Sequence, residues 1–295
     1  MTIHAPETFQ VWPPRGRIFG SAARRILAGA TLLLAVAGAG AGAETITVGG
    51  TGAALGPMRA LAAQFAKLPP GHSVVVGPDL GSSGGLKALA AGAIDMAVIA
   101  RPLTPQESAQ GLVAVEYGKN PFVIATSMKG AGTFRTFNEL ADIYAGRRTT
   151  WEGGEPVRLV LRHRTDTDTA LLESFSPELK LAMHVALARP GMIVASTAQE
   201  AAEKIEKTPG AIGASSLALI RTEKRQVRLL PINGVAPSAR AVADGSYPFF
   251  KVMYLARKGA GTPAVALFFD FVASPRGRQI LSDAGHSVAE AKPGP

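Results

Sequence analysis

The sequence predicts an α/β protein with parallel strand pairing, and two observations carry that expectation. Strand-like and helix-like stretches alternate from Glu44 onward. Several apolar strands run directly into glycine or hydroxyl residues that open helices. There is no cysteine, so the fold must rest on core burial and not on a disulfide framework.

In chain order, "ETITVGG" alternates like a strand and stops at glycines, and "PMRALAAQFAK" carries apolar residues at helical spacing from Met58 to Phe65. "HSVVVGP" is strand-like, "GGLKALAAG" is a short helix opening behind glycines, and the continuous apolar run in "DMAVIAR" is a buried strand. "LVAVEYGKNPFVIATS" reads as two strands. "TFNELADIYAGRR" is a helix with Thr136 as N-cap and Glu139 completing a capping box. "VRLVLRHR" is a strand and "TDTALLESF" the helix after it. "MIVAST", the helix "AQEAAEKIEKTP" and "AIGASSLALI" repeat the alternation. "YPFFKVMYLAR" is a further strand, and the terminal helices break at Pro275.

Ahead of the alternation, Arg15, Arg17, Arg24 and Arg25 precede an apolar run ending in Ala41-Gly42-Ala43. A basic flank, a short apolar core and small residues at the end describe a cleavable secretory signal over 1–43. A lone membrane helix is the competing reading, but the run dissolves into Gly and Ala without a basic stop-transfer flank. Arg24-Arg25 leaves Sec and twin-arginine export both open. The remainder, about 250 residues, is enough for two modest lobes.

The chain has 31 Lys and Arg against 22 Asp and Glu, a net charge of +9, which favours anionic ligands. Nucleic acid is not expected: there are four Tyr and two Trp, and the densest basic run, "RTEKRQVR", holds no aromatic for stacking. Five His (His4, His72, His163, His184, His286) include no pair at metal-ligand helical spacing, so neither a metal nor a cofactor is expected.

"GSSGG" at Gly81–Gly85 allows two readings: a reactive serine in G-x-S-x-G, or backbone N–H groups that hold an anion. A nucleophile elbow sets its serine at the immediate end of a strand, whereas Gly77-Pro78-Asp79-Leu80 separates Ser83 from "VVV". A hydrolase using Ser83 also needs a histidine base, and His163 and His184 sit in unremarkable surface contexts. An anion site fits better, because helix starts present unsatisfied N–H groups and partial positive charge.

The stretch "FNELADIYAGRRTTWEGGEPVRLVLRHRTDTDTALLESF" resembles the segment that marks periplasmic phosphate-binding proteins of ABC transporters, with Ile143, Gly146, Trp151, Pro156, Val160 and Arg162 in its frame. "GGTGAALGPM", "GSSGGLKALAAGAIDMAVIARPL", "GAIGASSLAL" and "SYPFFKVMYL" follow in that family's order. The resemblance implies a two-lobed type II clamshell, each lobe a mixed sheet flanked by helices, with lobe 1 at 44–125 plus 248–295 and lobe 2 at 126–247. It implies crossings near Ala125–Thr126 and Tyr247. It also implies a monomeric, non-enzymatic periplasmic binder that passes a small oxyanion, above all phosphate, to an inner-membrane permease. Carried over by position, the ligand contacts are Ala54, Leu55, Ser82, Ser83, Arg162, Asp166, Thr167 and Asp168.

Two departures touch that site. Ala54 and Ala100 stand where the family has Thr and an Asp, and Thr165-Asp166-Thr167-Asp168 replaces a Gly-Ser-Gly-Thr helix start. A carboxylate facing the ligand accepts hydrogen bonds only, so it demands a protonated oxygen, which monohydrogen phosphate has and sulfate lacks. Three outcomes stay open: an Asp of the pair takes that acceptor role, both cap the helix, or the pocket takes a ligand bearing donors. A sensory or accessory binder of another ligand is the alternative on the same fold.

Overall fold

The computed structural model describes residues 42–130 and 137–288. The expected signal segment lies outside the described residues up to residue 41, as does the expected cap Thr136. Among the described residues no helix is long and apolar enough to cross a membrane.

The first half of the alternation forms as expected: β1 (Thr45–Gly50), α1 (Gly52–Phe65), β2 (Ser73–Asp79), α2 (Gly81–Ala90) and β3 (Met96–Ile99), followed by the short α3 (Pro105–Ala109). β3 is buried throughout, as its unbroken apolar run requires. The chain turns from β1 into α1 at Gly50, whose φ of +131° only glycine adopts readily. A Cβ there would also stand 2.0 Å from the Val98 carbonyl oxygen.

β4 (Leu112–Thr126) is one strand of 15 residues where the sequence reads as two. A register irregularity between Glu116 and Gly118 absorbs the break in apolar pattern, and pairing resumes beyond it. The second half continues with α4 (Phe137–Ala145), β5 (Arg158–Arg162), α5 (Thr167–Glu173), α6 (Pro177–Ala188), β6 (Ile193–Ala195), α7 (Ala198–Lys207) and β7 (Ala211–Ser216). Then come α8 (Leu217–Thr222), β8 (Arg228–Leu230), α9 (Ala239–Ala243), β9 (Phe250–Lys258), α10 (Pro263–Ala273) and α11 (Pro275–Asp283). Pro275 sits in the first turn of α11 behind the Ser274 cap, which ends one helix and starts the next.

The strand order is β2-β1-β3-β9-β4-β7-β5-β6, with β8 beside β4. β1 pairs in parallel with β2 and β3, and β5 in parallel with β6 and β7, while β9 and β4 run antiparallel to their neighbours. β4 therefore joins two mixed sheets. Through Pro121 it pairs with β9, and from Phe122 it pairs with β7, a few residues before the expected crossing.

Each sheet packs its own core. Leu55, Met58, Leu61 and Phe65 of α1 meet Val48, Val98 and Phe268 in the first, and Leu140, Tyr144, Trp151, Leu161 and Met183 meet in the second. Where the two halves join, Pro57 has no N–H to give to the Ala53 carbonyl four residues back. The buried Asn120 amide of β4 reaches that carbonyl at 3.4 Å, and its oxygen accepts the Ala218 N–H that starts α8.

Candidate functional site

Parallel strands deliver their carboxyl ends to one side of each sheet, which is where open α/β folds hold ligands. β2 and β5 end at Asp79 and Arg162, and β6 is followed by Ser196. All three residues line one cavity of about 370 Å³. Ser82, Ser83 and Gly84 line it from the start of α2, and Arg162, Thr165, Asp166 and Thr167 line it from the β5–α5 junction. Ser82, Ser83, Arg162, Asp166 and Thr167, expected from sequence, thus meet around a single space.

"GSSGG" is not a loop before a helix, because α2 begins at Gly81 and the serines lie in its first turn. Gly81 takes φ +65° to make the entry. The first-turn N–H groups have no acceptor inside the helix, so this end of α2 faces the cavity with donors. The Ser82 hydroxyl is buried and accepts the Ala100 N–H at 3.0 Å, whereas Ser83 is exposed and accepts from Arg101 at 3.3 Å. That guanidinium also grips Glu107 through both oxygens, at 2.7 and 2.8 Å, and holds its carboxyl down at about 2.

Arg162 is only 7% exposed. It donates to the Ala195 carbonyl at 3.1 Å and to Asp166 Oδ2 at 2.6 Å, and its Nε–H has no acceptor among the described residues. Asp166 Oδ1 accepts the Asp168 N–H at 2.8 Å, so this residue caps α5 and pairs with Arg162 at once. His163, which also lines the cavity, keeps its ring nitrogen 3.2 Å from the Thr165 hydroxyl.

The other expected residues stand apart from this cavity. Ala54 and Leu55 are 0% and 1% exposed in the first-sheet core, and the Ala54 N–H is bonded to the Thr51 carbonyl. α1 starts at Gly52, earlier than the periodicity from Met58 suggests, which carries both residues into helix and core. Asp168 is 5% exposed and forms a buried ion pair with Lys251 of β9, whose ammonium also lies 5.5 Å from the Phe122 ring centre.

Sequence reasoning missed Lys251 and Asp79. Asp79 Oδ1 accepts from Gly52 N at 2.8 Å and from Gly81 N at 2.9 Å, and its Oδ2 accepts from Ala198 N at 2.8 Å. A carboxylate spelled just ahead of a glycine-opened helix was the available signal. A larger cavity of about 720 Å³ lies against Tyr117, Leu255, Phe269 and Val272, with mostly apolar walls and none of the expected ligand residues. The smaller cavity gathers the polar groups that a small solute needs. Among the described residues no cluster of three or more His, Asp or Glu could hold a metal ion.

Residues 35–276 match the PBP superfamily domain. The chain is 30% identical over 152 residues to the phosphate-binding protein PstS of Bacillus subtilis, covering 50% of this chain and 48% of that protein. It thus spans about half the length of that relative. It is 24% identical to the phosphate-binding protein PstS of Borreliella burgdorferi, over 70% of this chain and 76% of that one. The fold is shared with a phosphate ABC transporter substrate-binding protein from Clostridium perfringens, solved with bound phosphate. That match has a TM-score of 0.71 at 20% identity and covers 84% of this chain and all of the other. The likeness bears out the two-lobed, type II binding-protein architecture.

Proposed function

Because the chain belongs to the PBP superfamily, we propose that it is an exported solute-binding protein that captures phosphate between two lobes and hands it to an inner-membrane ABC permease. The lobes are residues 44–125 with 248–295, and 126–247, behind a signal segment at 1–43 that directs the chain to the periplasm. The observation that carries this reading is the meeting of the α2 first turn and Arg162 across one cavity. A helix start and a guanidinium, set on separate sheets and brought to one cavity, suit a small oxyanion. The relatives that bear the name phosphate-binding protein favour phosphate as that oxyanion.

Binding without chemistry is what this site supports. The cation at Ser83 is Arg101, and a guanidinium cannot take the proton that a serine nucleophile must lose. Affinity comes from donors held in place by strand ends, and closing the lobes excludes water. Asp166, which lines the cavity, is the acceptor that demands a protonated oxygen, in place of the carboxylate lost at Ala100.

A second reading, a sensory or accessory binder of a ligand rich in donors, is favoured by one observation: Asp79 and Asp166 both put carboxylates in the cavity wall. Titration calorimetry with phosphate, arsenate, sulfate, simple sugars and amines separates the two. We expect phosphate and arsenate to bind one per chain, and sulfate to bind at least ~100-fold more weakly for want of a proton. Binding of an amine or sugar with none of phosphate gives the second reading.

A further inference from the structure

The geometry points to Asp79 as a clasp that holds the two lobes together when no solute is bound. Its carboxylate serves three helix N-termini at once, those of α1, α2 and α7. Each of these ends carries partial positive charge, and one carboxylate at their junction satisfies them together. α1 and α2 pack on the sheet of β1–β3, while α7 packs on the sheet of β5–β7. The bond to Gly81 is an ordinary cap of the next helix. The bond to Ala198 is not: it crosses from one lobe to the other.

A second bond runs beside it, from Gln199 Nε2 to the Gly52 carbonyl at 3.1 Å. The junction is tight at Gly52: a Cβ there would stand 2.3 Å from Gln199 Oε1 and 2.4 Å from Asp79 Oδ2, so a side chain would push both groups out of place. Other links between the halves gather where β4 passes from one sheet to the other: Asn120 joins Ala53 of α1 to Ala218 of α8, α1 packs on α8, and Lys251, which lies opposite Asn120, pairs with Asp168. Those can persist as the lobes swing. The Asp79–Ala198 bond lies beside the solute cavity, which Asp79 and Ser196 both line. Opening must part it.

The clasp therefore biases the resting chain toward the closed form and makes both entry and exit of solute wait for its release. Only its kinetic part rests on the solute-binding reading above, because lobe separation can be measured in solute-free protein. The absence of cysteine lets two labels be placed at will, by Lys87→Cys on α2 and Lys180→Cys on α6, both exposed.

Pulsed electron–electron distance measurement on the doubly spin-labelled chain is expected to give a short distance for the parent. A longer, open population should rise about tenfold in Asp79→Ala and Asp79→Asn, the effect of losing one charge-assisted bond. Added phosphate should restore the short distance, and its association and dissociation rates should both rise while Kd changes less than either. Should Asp79→Ala fail to fold, Asp79→Asn and Gln199→Ala carry the distance test. Distance distributions unchanged in the folded variants overturn the clasp. A widened distance in a chain that never binds phosphate upholds the clasp and removes the phosphate reading.

Discussion

Arg162→Ala is expected to weaken phosphate binding by about 100-fold or more, measured by titration calorimetry on protein whose melting temperature is checked alongside. Arg162 supplies the cavity's buried guanidinium, and charge-assisted bonds to an enclosed anion are the strong kind. Its loss also strands Asp166 without its partner, adding a negative charge to the wall that faces the solute. Arg162→Lys keeps the charge but not the planar fork, so it should recover only part of the affinity. The double variant Arg162→Ala/Asp166→Ala separates the two effects: affinity that climbs back when Asp166 is also removed measures the repulsion. Affinity within threefold of the parent in Arg162→Ala takes Arg162 out of the site.

Lys251→Met is expected to cost about 3–5 kcal/mol of folding stability, read by urea unfolding, because it leaves Asp168 charged and buried. The double variant Lys251→Met/Asp168→Leu should regain most of that loss, since a buried pair replaced by apolar groups of similar size is often close to neutral. The pair joins α5, the helix that follows the Arg162 strand, to β9 of the first sheet. Asp168 is thereby committed to holding the lobe in position and is not available to the solute. A Lys251→Met chain as stable as the parent contradicts that assignment.

The strand–helix alternation was legible because period-two and 3.6-residue apolar patterns are local. Where apolarity was unbroken, the pattern lost its meaning. "AIGASSLALI" reads as one strand, yet β7 ends at Ser216 and α8 takes the rest, with every residue from Ala211 to Ile220 buried. Full burial removes the polar face on which periodicity depends. The serine turn and the Arg162 strand end, which the structure brings to one cavity, stood out in the sequence because glycine, serine and arginine at strand-to-helix junctions have a local chemical meaning.

Ala54 and Leu55 were not legible as core, because the start of α1 is set by the turn at Gly50 and by the capping carboxylate from β2. Nor could the spelling of Asp166 and Asp168 tell which faces the cavity. Asp168 is claimed by Lys251, a partner distant in sequence, and only the fold brings them together. Asp79 belongs to the same class, since two of its three amides come from helices other than the one it precedes.

One solute seated between the α2 first turn and Arg162 is the claim on which the binding account stands, and a crystal structure grown with arsenate reads it directly through the anomalous signal of arsenic. The account predicts one strong peak in the 370 Å³ cavity, with oxygens in hydrogen-bonding reach of the Ser82–Gly84 turn and of the Arg162 guanidinium. A peak only in the apolar cavity beside Tyr117 and Phe269, or none at saturating arsenate, contradicts it.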